Sequence, residues 1–248
     1  MIFLNTNSLR NKIYIILFII PLLLISDQLQ AKETTLLILG DSLSAAYGLK
    51  QEQGWVSLLQ DAWQSEGENS ENAAISEETN SMNSMNSMNS MNSMNNVKSV
   101  KSVNVVNAAI SGETTDGALA RLPRLLKQHR PTHIFVELGG NDGLQGHPVN
   151  KMRGNLEKII QLSQKSEAKV ILQQMQIPTN YGKRYTQMFT RTYAQLAEKH
   201  NVIMLPFFLQ NIALDKSLML RDGIHPNAEA QIIIAKDMQK KLGDIIFY

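Results

Sequence analysis

Four short Gly-rich or turn-like segments carry the groups that acyl transfer by a serine requires. This chemistry needs a nucleophile, a general base, a carboxylate that orients the base, and hydrogen-bond donors for the oxyanion. In chain order the segments are GDSLS with Ser42, ISGET with Gly112, GGND with Asn141, and DGIHP with Asp222 and His225. They lie far apart in the sequence, so the fold must bring them together before they can act.

Ser42 follows an apolar stretch, Thr35–Leu39, whose residue types favour a β-strand. Apolar residues at helical spacing occupy the segment from Tyr47 to Trp63. We therefore expect Ser42 on a strand-to-helix turn, where backbone N–H groups and the positive end of a helix dipole face its hydroxyl. Taken alone, Asp41-Ser42 is more typical of a helix N-cap, and it is the other three segments that favour catalysis.

Asp222 and His225 lie three residues apart in a turn bounded by Gly223 and Pro226. Such a turn can bring the carboxylate to Nδ1–H of the imidazole, which leaves Nε2 free to take a proton from a serine. A capping Asp and a surface His before a helix is the more common interpretation of this segment alone. The other histidines occupy predicted helix ends, a strand start or a loop, and we do not expect any of them to be the base: His129, His200, His133 and His147.

Gly112 and Asn141 each follow a stretch of strand-forming residues, NVVNAAIS and HIFVEL respectively. The Asn141 amide could donate to an oxyanion, and Gly112 lets a substrate approach a backbone N–H closely. As structure alone, both are ordinary turn residues. Open α/β folds, however, build their sites where parallel strands end on one edge of the sheet. This placement favours a shared site at that edge.

Longer stretches around these residues resemble the SGNH (GDSL) hydrolase superfamily, and within it the bacterial thioesterase and lysophospholipase branch, whose members include arylesterases. The resemblance is carried by ILGDSLSAAYGL, NAAISGETTDGALARLPRLLKQHRPTHIFVELGGNDGLQG, QIPTNYGKRY and DGIHPNAEAQ. It extends over nearly all of Thr34–Leu242 apart from one insertion. Because these motifs are long and correctly ordered, the resemblance is specific.

The resemblance implies a role for each residue named above. Ser42 would be the nucleophile, His225 the base and Asp222 the group that orients the base. The oxyanion hole would consist of the backbone N–H groups of Ser42 and Gly112 and the side chain of Asn141. The implied fold is the three-layer α/β/α, flavodoxin-like SGNH-hydrolase fold, with a five-stranded parallel sheet in the order 2-1-3-4-5.

Two residues depart from the family pattern. Glu113 stands where Asp is usual, and Ala46 stands where Gly is common. Neither is a proposed catalytic group, so they bear on loop geometry and acyl preference. The segment around Ser42 also lacks the G-x-S-x-G nucleophile elbow, which argues against the α/β-hydrolase fold.

The rest of the sequence predicts alternating strands and helices. Further strands are expected at Lys169–Met175 and Asn201–Phe208. Helical patterns lie near Ala118–Lys127, Val149–Lys165, Gln187–His200 and Ala228–Leu242. This alternation predicts an α/β fold with a parallel sheet covered on both faces.

Residues 1–31 are predicted to be a signal peptide. Basic residues Arg10 and Lys12 precede the apolar run Ile13–Ile25, and Ala31 offers a small residue for cleavage. The run is too short for a comfortable transmembrane helix, although an uncleaved anchor is the alternative. We expect export to the periplasm or the medium, with no stable membrane span after processing.

We expect the remaining residues, 32–248, to form one domain and to be a monomer. Their composition limits the kinds of site that they can form. The chain contains no cysteine and has a formal net charge of +2. The lack of cysteine excludes disulfides, Fe–S clusters, cysteine-based zinc sites and a lipoprotein anchor. The near-neutral charge gives no indication of nucleic-acid binding. No metal-ligand cluster is recognisable, so we expect no metal, no cofactor, and activity in the presence of a chelator.

A low-complexity segment, at about residues 66–101, interrupts the predicted domain. It contains five Ser-Met-Asn triplets over Ser81–Asn95. The regular Met spacing raises the alternative of soft-metal binding. A period of three, however, gives no stable face on a strand or helix, and long surface loops are tolerated at little entropic cost. We predict a disordered, dispensable insertion.

Apolar loop residues after two predicted strands are candidates for an acyl groove: Leu144, Ile177 and Pro178. Loop packing explains them equally well. The resemblance implies small-molecule substrates, namely acyl-CoA and other acyl thioesters, lysophospholipids, and aryl or alkyl esters. Two alternatives stay open. One is a carbohydrate O-deacetylase of the same superfamily, which would need a polar, open groove, and the other is a non-catalytic lipid- or glycan-binding protein.

Overall fold

The computed structural model describes residues 34–67 and 103–247, which lie within one compact unit, Thr34–Tyr248. Its centre is a sheet of five parallel strands in the order β2-β1-β3-β4-β5. The strands are β1 (Thr34–Gly40), β2 (Val103–Asn107), β3 (His133–Glu137), β4 (Lys169–Gln173) and β5 (Ile203–Leu205). Both the predicted α/β class and the strand order implied by the resemblance are confirmed.

Helices cover both faces of this sheet. They are α1 (residues 55–67), α2 (Thr115–His129), α3 (Gly140–Leu144), α4 (Val149–Lys165), α5 (Lys183–His200) and α6 (Ala228–Ile246). The connection from β1 to β2 runs towards one edge of the sheet, and the connections from β2 through β3 and β4 to β5 run towards the opposite edge. Right-handed crossovers therefore place α1 on one face and α2, α4 and α5 on the other.

The last helix, α6, packs beside α1. The backbone N–H of Trp55 donates to Gln231 Oε1 over 2.8 Å, and the rings of Trp63 and Phe247 meet edge to face with centroids 5.8 Å apart. On the other face, α4 packs against both α2 and α5. The arrangement has the three layers of the predicted α/β/α fold.

The interior strand β1, which lies between β2 and β3, carries the core of the sheet. Leu36, Leu37, Ile38 and Leu39 are all fully buried. A parallel strand covered on both faces needs such an uninterrupted apolar run, and each of these side chains stabilises the fold by roughly 1.5–3 kcal/mol. Since β2 and β3 flank β1 on opposite sides, the strand order reverses here. Ligands of open α/β sheets bind at the carboxyl ends of the strands at such a reversal.

Some element boundaries differ from the prediction. β5 ends at Leu205 because Pro206 follows, and proline has no N–H with which to extend a ladder. The helix predicted from Gln187 begins earlier, at Lys183. The predicted signal peptide and nearly all of the predicted insertion lie outside the described residues. Within the described ranges, no helix combines the length and apolarity needed to cross a membrane.

Candidate active site

The segment after β1 carries Ser42, and it does not form the predicted strand-to-helix turn. Residues 42–48 form consecutive turns, and α1 begins only at residue 55. Ala46 has φ 55° and Gly48 has φ 73°, and this left-handed backbone stops a right-handed helix from starting here. The prediction of a helix directly behind Ser42 is therefore wrong, and its dipole does not act on the hydroxyl.

The DGIHP segment forms a tight turn that is fixed by its own aspartate. Oδ1 of Asp222 accepts hydrogen bonds from the N–H groups of Ile224 (2.9 Å) and His225 (3.0 Å). Gly223 has φ 68°, which suits a residue without a side chain. The N–H of Leu220 donates to the His225 carbonyl over 2.7 Å and closes the turn. The imidazole thus projects from a well-anchored backbone.

A continuous hydrogen-bonded chain joins Asp222, His225 and Ser42. Asp222 Oδ2 lies 2.7 Å from His225 Nδ1, and His225 Nε2 lies 2.8 Å from Ser42 Oγ. Burial acts to raise the pKa of Asp222, but the N–H groups of His225 and Ile224 and the imidazole outweigh it and lower the pKa to about 2. The aspartate is therefore ionised at neutral pH and faces the ring nitrogen opposite the serine.

Among the histidines in the described ranges, only His225 hydrogen-bonds to Ser42. His133 is buried in β3, and burial lowers its pKa. His200 ends α5, with Nε2 3.0 Å from Glu157 Oε1, and His129 ends α2. His147 lies in the loop after α3, where its carbonyl accepts from a tyrosine hydroxyl.

The two other predicted oxyanion residues lie on loops at the same sheet edge. Gly112 follows β2 with φ 79°, and a Cβ built there would meet nothing within 4 Å. Asn141 is the second residue of α3, directly after β3. Its Nδ2 donates to the Glu113 carbonyl (3.0 Å) and to Asp41 Oδ2 (3.2 Å). The amide is thus oriented before any substrate binds.

Asp142 ties these two loops together. Its carboxylate is buried and accepts from the Thr115 hydroxyl (2.6 Å) and the Thr115 N–H (2.9 Å) at the start of α2. The Asn155 amide donates in turn to the Thr115 hydroxyl over 3.1 Å. Asp142 was not among the predicted site residues, although it stands beside Asn141 in the GGND segment.

A pair of buried carboxyl groups lies directly behind the serine, and the sequence analysis missed it. Asp41 is 2% exposed and Glu137, the last residue of β3, is 0% exposed. Burial raises the pKa of Asp41 to about 6, and burial together with the charge of Asp41 raises the pKa of Glu137 well above its ordinary value. An acidic residue at the end of an otherwise apolar strand was the available signal.

A cavity of about 560 Å³ opens beside Ser42. All three predicted groove residues line it: Leu144, Ile177 and Pro178. Lining residues that the sequence analysis did not name include Phe207, Leu209, Ala213 and Met219, which lie in the loop after β5, and Tyr47, Gln176 and Ile224. The rule that sites form at the carboxyl ends of parallel strands could have indicated the loop after β5.

Tyr47 also contacts the imidazole directly. Its ring stacks on that of His225 with centroids 4.1 Å apart and an interplanar angle of 28°. The tyrosine itself is 46% exposed, so it covers the histidine from the solvent side.

No group of three or more His, Cys, Asp or Glu side chains in the described part of the chain is arranged to hold a metal ion. Independence from metals stays a prediction. The residues gathered at the cavity suit acid–base and nucleophilic chemistry.

Comparisons with known proteins agree with this geometry. Residues 89–231 match the GDSL-like Lipase/Acylhydrolase family, a range that contains Gly112, Asn141, Asp222 and His225 but begins after Ser42. Thioesterase 1/protease 1/lysophospholipase L1 of Escherichia coli K12 is 39% identical over 216 residues, which cover 87% of this chain and 86% of that protein.

Two further relatives have esterase names. The arylesterase of Vibrio mimicus is 39% identical over 213 residues, which cover 86% of this chain and 90% of that protein. The crystal structure of the psychrotrophic esterase EstA from Pseudoalteromonas sp. matches with a TM-score of 0.72 and 40% identity, and covers 87% of this chain and 100% of that one. The chain therefore belongs to the GDSL-like lipase/acylhydrolase family.

Proposed function

We propose that this chain hydrolyses acyl esters and thioesters through an acyl-enzyme on Ser42. The observation that carries the proposal is the hydrogen-bonded chain from Asp222 through His225 to Ser42, with steps of 2.7 and 2.8 Å. Its serine end opens into the cavity of about 560 Å³. A nucleophile, a base and an orienting carboxylate in this order are the requirements of acyl transfer.

The first half of the reaction acylates Ser42. The serine oxygen attacks the acyl carbonyl carbon as His225 Nε2 takes the hydroxyl proton, and the carbonyl electron pair moves onto oxygen. Asp222 stabilises the imidazolium that forms. When the tetrahedral intermediate collapses, the bond to the alcohol or thiol breaks, and the leaving group takes the proton from Nε2.

The second half releases the acyl group as a carboxylic acid. Water attacks the acyl-enzyme, His225 takes a proton from that water, and collapse returns the proton to Ser42. In both halves the oxyanion would be held by the N–H groups of Ser42 and Gly112 and by the Asn141 amide. Loss of one such donor typically lowers kcat by about 10²–10³.

The cavity lining favours an acyl chain as the group that binds beside Ser42. Its side chains are mainly aliphatic or aromatic, including Leu144, Ile177, Phe207 and Leu209. We propose acyl thioesters, lysophospholipids and aryl or alkyl esters as substrates, in keeping with the names of the relatives. An apolar groove separates chains that differ by one methylene only weakly, by about 1–3 kcal/mol, so we expect breadth.

The same lining disfavours a carbohydrate O-deacetylase, which would present a polar groove to the sugar. The complete set of Ser42, Asn141, Asp222 and His225 likewise disfavours a non-catalytic binding protein. We further propose that residues 1–31 direct export to the periplasm or the medium and that the mature chain is a monomer. N-terminal sequencing of the exported protein and size-exclusion chromatography with light scattering test these two points.

Hydrolysis of p-nitrophenyl esters, from acetate to palmitate, tests the proposed function. We expect wild-type protein to cleave medium or long chains, and Ser42→Ala to lose at least about 10⁴-fold in kcat. Ser65→Ala, on the exposed side of α1, is the matched control and should retain full activity. Activity confined to acetate would support the deacetylase, and a folded wild-type protein inactive on every ester would contradict hydrolysis.

A further inference from the structure

The mechanism above makes no use of the carboxyl pair formed by Asp41 and Glu137. Asp41 directly precedes Ser42, and Glu137 projects from the end of the neighbouring strand, β3. The Asp41 N–H donates to Glu137 Oε2 over 3.1 Å, which places the two buried carboxyl groups close together. Burial and the charge of Asp41 both raise the pKa of Glu137, which favours one proton on the pair at neutral pH.

The contacts indicate that Glu137 carries this proton. Glu137 Oε2 accepts from the Asp41 N–H (3.1 Å) and from the Ser44 hydroxyl (2.8 Å). Glu137 Oε1 is buried and receives no hydrogen bond from the described residues. An ionised carboxylate would leave that oxygen unsatisfied at a considerable energetic cost, whereas a protonated acid needs fewer donors.

Asp41, in contrast, has the contacts of a carboxylate. Its Oδ1 accepts from the Leu43 N–H over 3.0 Å, and its Oδ2 accepts from Asn141 Nδ2 over 3.2 Å. One contact fixes the backbone that follows Ser42, and the other fixes the side chain expected to bind the oxyanion. The further charged groups near Asp41 are His225 and Asp142, which act on it through space.

We propose that protonated Glu137 is a positioning residue of the oxyanion hole: it holds the Asp41 carboxylate, and through Asp41 it holds the Asn141 amide. The inference deepens, and rests on, the proposed hydrolytic function. Glu137 does not touch the substrate. Its contribution lies in fixing a donor where negative charge develops, which lowers the barrier without tightening ground-state binding.

Replacement of Glu137 by an amide and by an apolar side chain of similar length tests the positioning. Glu137→Gln keeps an oxygen acceptor for the Asp41 N–H and the Ser44 hydroxyl, so kcat should stay within about threefold of wild type. Glu137→Met removes this acceptor and should lower kcat by about 10–100-fold, which is part of the cost of losing one oxyanion donor. KM should change less than about threefold. A rise in KM with unchanged kcat, or equal losses in Gln and Met, would overturn the proposal.

A double-mutant cycle with Asn141→Ala shows whether Glu137 acts through that amide. Asn141→Ala alone should lower kcat by about 10²–10³, and adding Glu137→Met should lower it by less than about threefold more. Additive losses would contradict the proposed route. If Glu137→Met does not fold, as judged by circular dichroism, Asp41→Ala takes its place in the cycle, because it removes the acceptor of the Asn141 amide.

Infrared spectroscopy detects the proton independently of activity. A difference spectrum between wild type and Glu137→Gln at neutral pH should show the C=O band of a protonated carboxylic acid in wild type alone. Absence of that band would overturn the proposal while leaving the hydrolytic function intact. An inactive wild-type protein that shows the band would instead contradict the hydrolytic function.

Discussion

His225 Nε2 lies 2.8 Å from Ser42 Oγ, although 183 residues separate the two in the sequence. The contact joins the loop after β1 to the turn before the last helix, so it depends on the whole sheet being assembled. It also fixes the direction of proton transfer, because the other ring nitrogen faces Asp222.

Asp222→Asn should lower kcat by about 10⁴-fold with little change in KM, because the imidazole loses the carboxylate that fixes its tautomer and stabilises its charged form. Ester hydrolysis under saturating substrate measures this. Asp215→Asn is the matched control, since Asp215 accepts from the Ser217 N–H (2.9 Å) in a comparable turn but faces no histidine. A loss of less than about tenfold in Asp222→Asn would show that the carboxylate does not support the base.

Leu144→Trp should shorten the range of acyl chains that the enzyme accepts. The larger side chain would fill part of the cavity that Leu144 lines. Each methylene that can no longer be buried costs about 0.8 kcal/mol, so kcat/KM for long-chain esters should fall more than tenfold while acetate hydrolysis changes little.

Leu214→Trp is the control for that substitution, because Leu214 is 83% exposed and does not line the cavity. The p-nitrophenyl ester series compares the two variants. An equal change across all chain lengths in Leu144→Trp would place the acyl chain elsewhere.

Tyr47→Ala should lower kcat/KM by roughly two- to tenfold, the equivalent of the 0.5–1.5 kcal/mol that a stacked aromatic pair contributes. The ring lies against His225 at a centroid separation of 4.1 Å and restricts the movement of the imidazole. Tyr47→Phe keeps the ring and should retain wild-type activity. Equal losses in both variants would assign the effect to the hydroxyl group instead.

The sequence predicted the residues that line the cavity better than the buried residues that hold them in place. Ser42, Asp222 and His225 could be singled out because each stands in a turn of recognisable residue types. The alternation of strands and helices predicted a shared sheet edge only for the segments that follow strands, which carry Ser42, Gly112 and Asn141. The pairing of Asp41 with Glu137 was missed because it joins the ends of two neighbouring strands, although the acidic residue at the end of β3 was visible in the sequence. Pairings across a sheet are a property of the register, which periodicity does not give.

The error at Ser42 has a different physical origin. Apolar spacing predicted a helix from Tyr47 onward, but spacing does not report where the backbone becomes left-handed. Ala46 and Gly48 both have positive φ, and they delay the helix to residue 55. A glycine in this place was visible in the sequence, whereas the conformation of the alanine was not.

The buried pair should make stability depend on pH. For an acid whose pKa is higher in the folded than in the unfolded state, the folded protein binds the extra proton, so the free energy of unfolding falls as pH rises between the two values. Burial raises the pKa of Asp41 to about 6 and that of Glu137 well above its ordinary value. The loss amounts to about 1.4 kcal/mol per pH unit for each proton released.

Urea unfolding of wild type and Glu137→Gln from about pH 4 to pH 7 measures this dependence, and the difference between them removes the contribution of other carboxylates. Wild type should lose stability relative to Glu137→Gln as the pH rises. Parallel curves would show that Glu137 keeps an ordinary pKa and holds no extra proton.

The central claim is that Ser42 forms the covalent intermediate, and labelling with an alkyl fluorophosphonate tests it most directly. The serine oxygen would attack phosphorus, displace fluoride and remain bonded to the phosphonyl group. Mass spectrometry of the intact protein and of its peptides should show one adduct per chain, located on Ser42, with complete loss of esterase activity and no adduct in Ser42→Ala. An adduct on another residue, or hydrolysis retained in Ser42→Ala, would contradict the proposed mechanism.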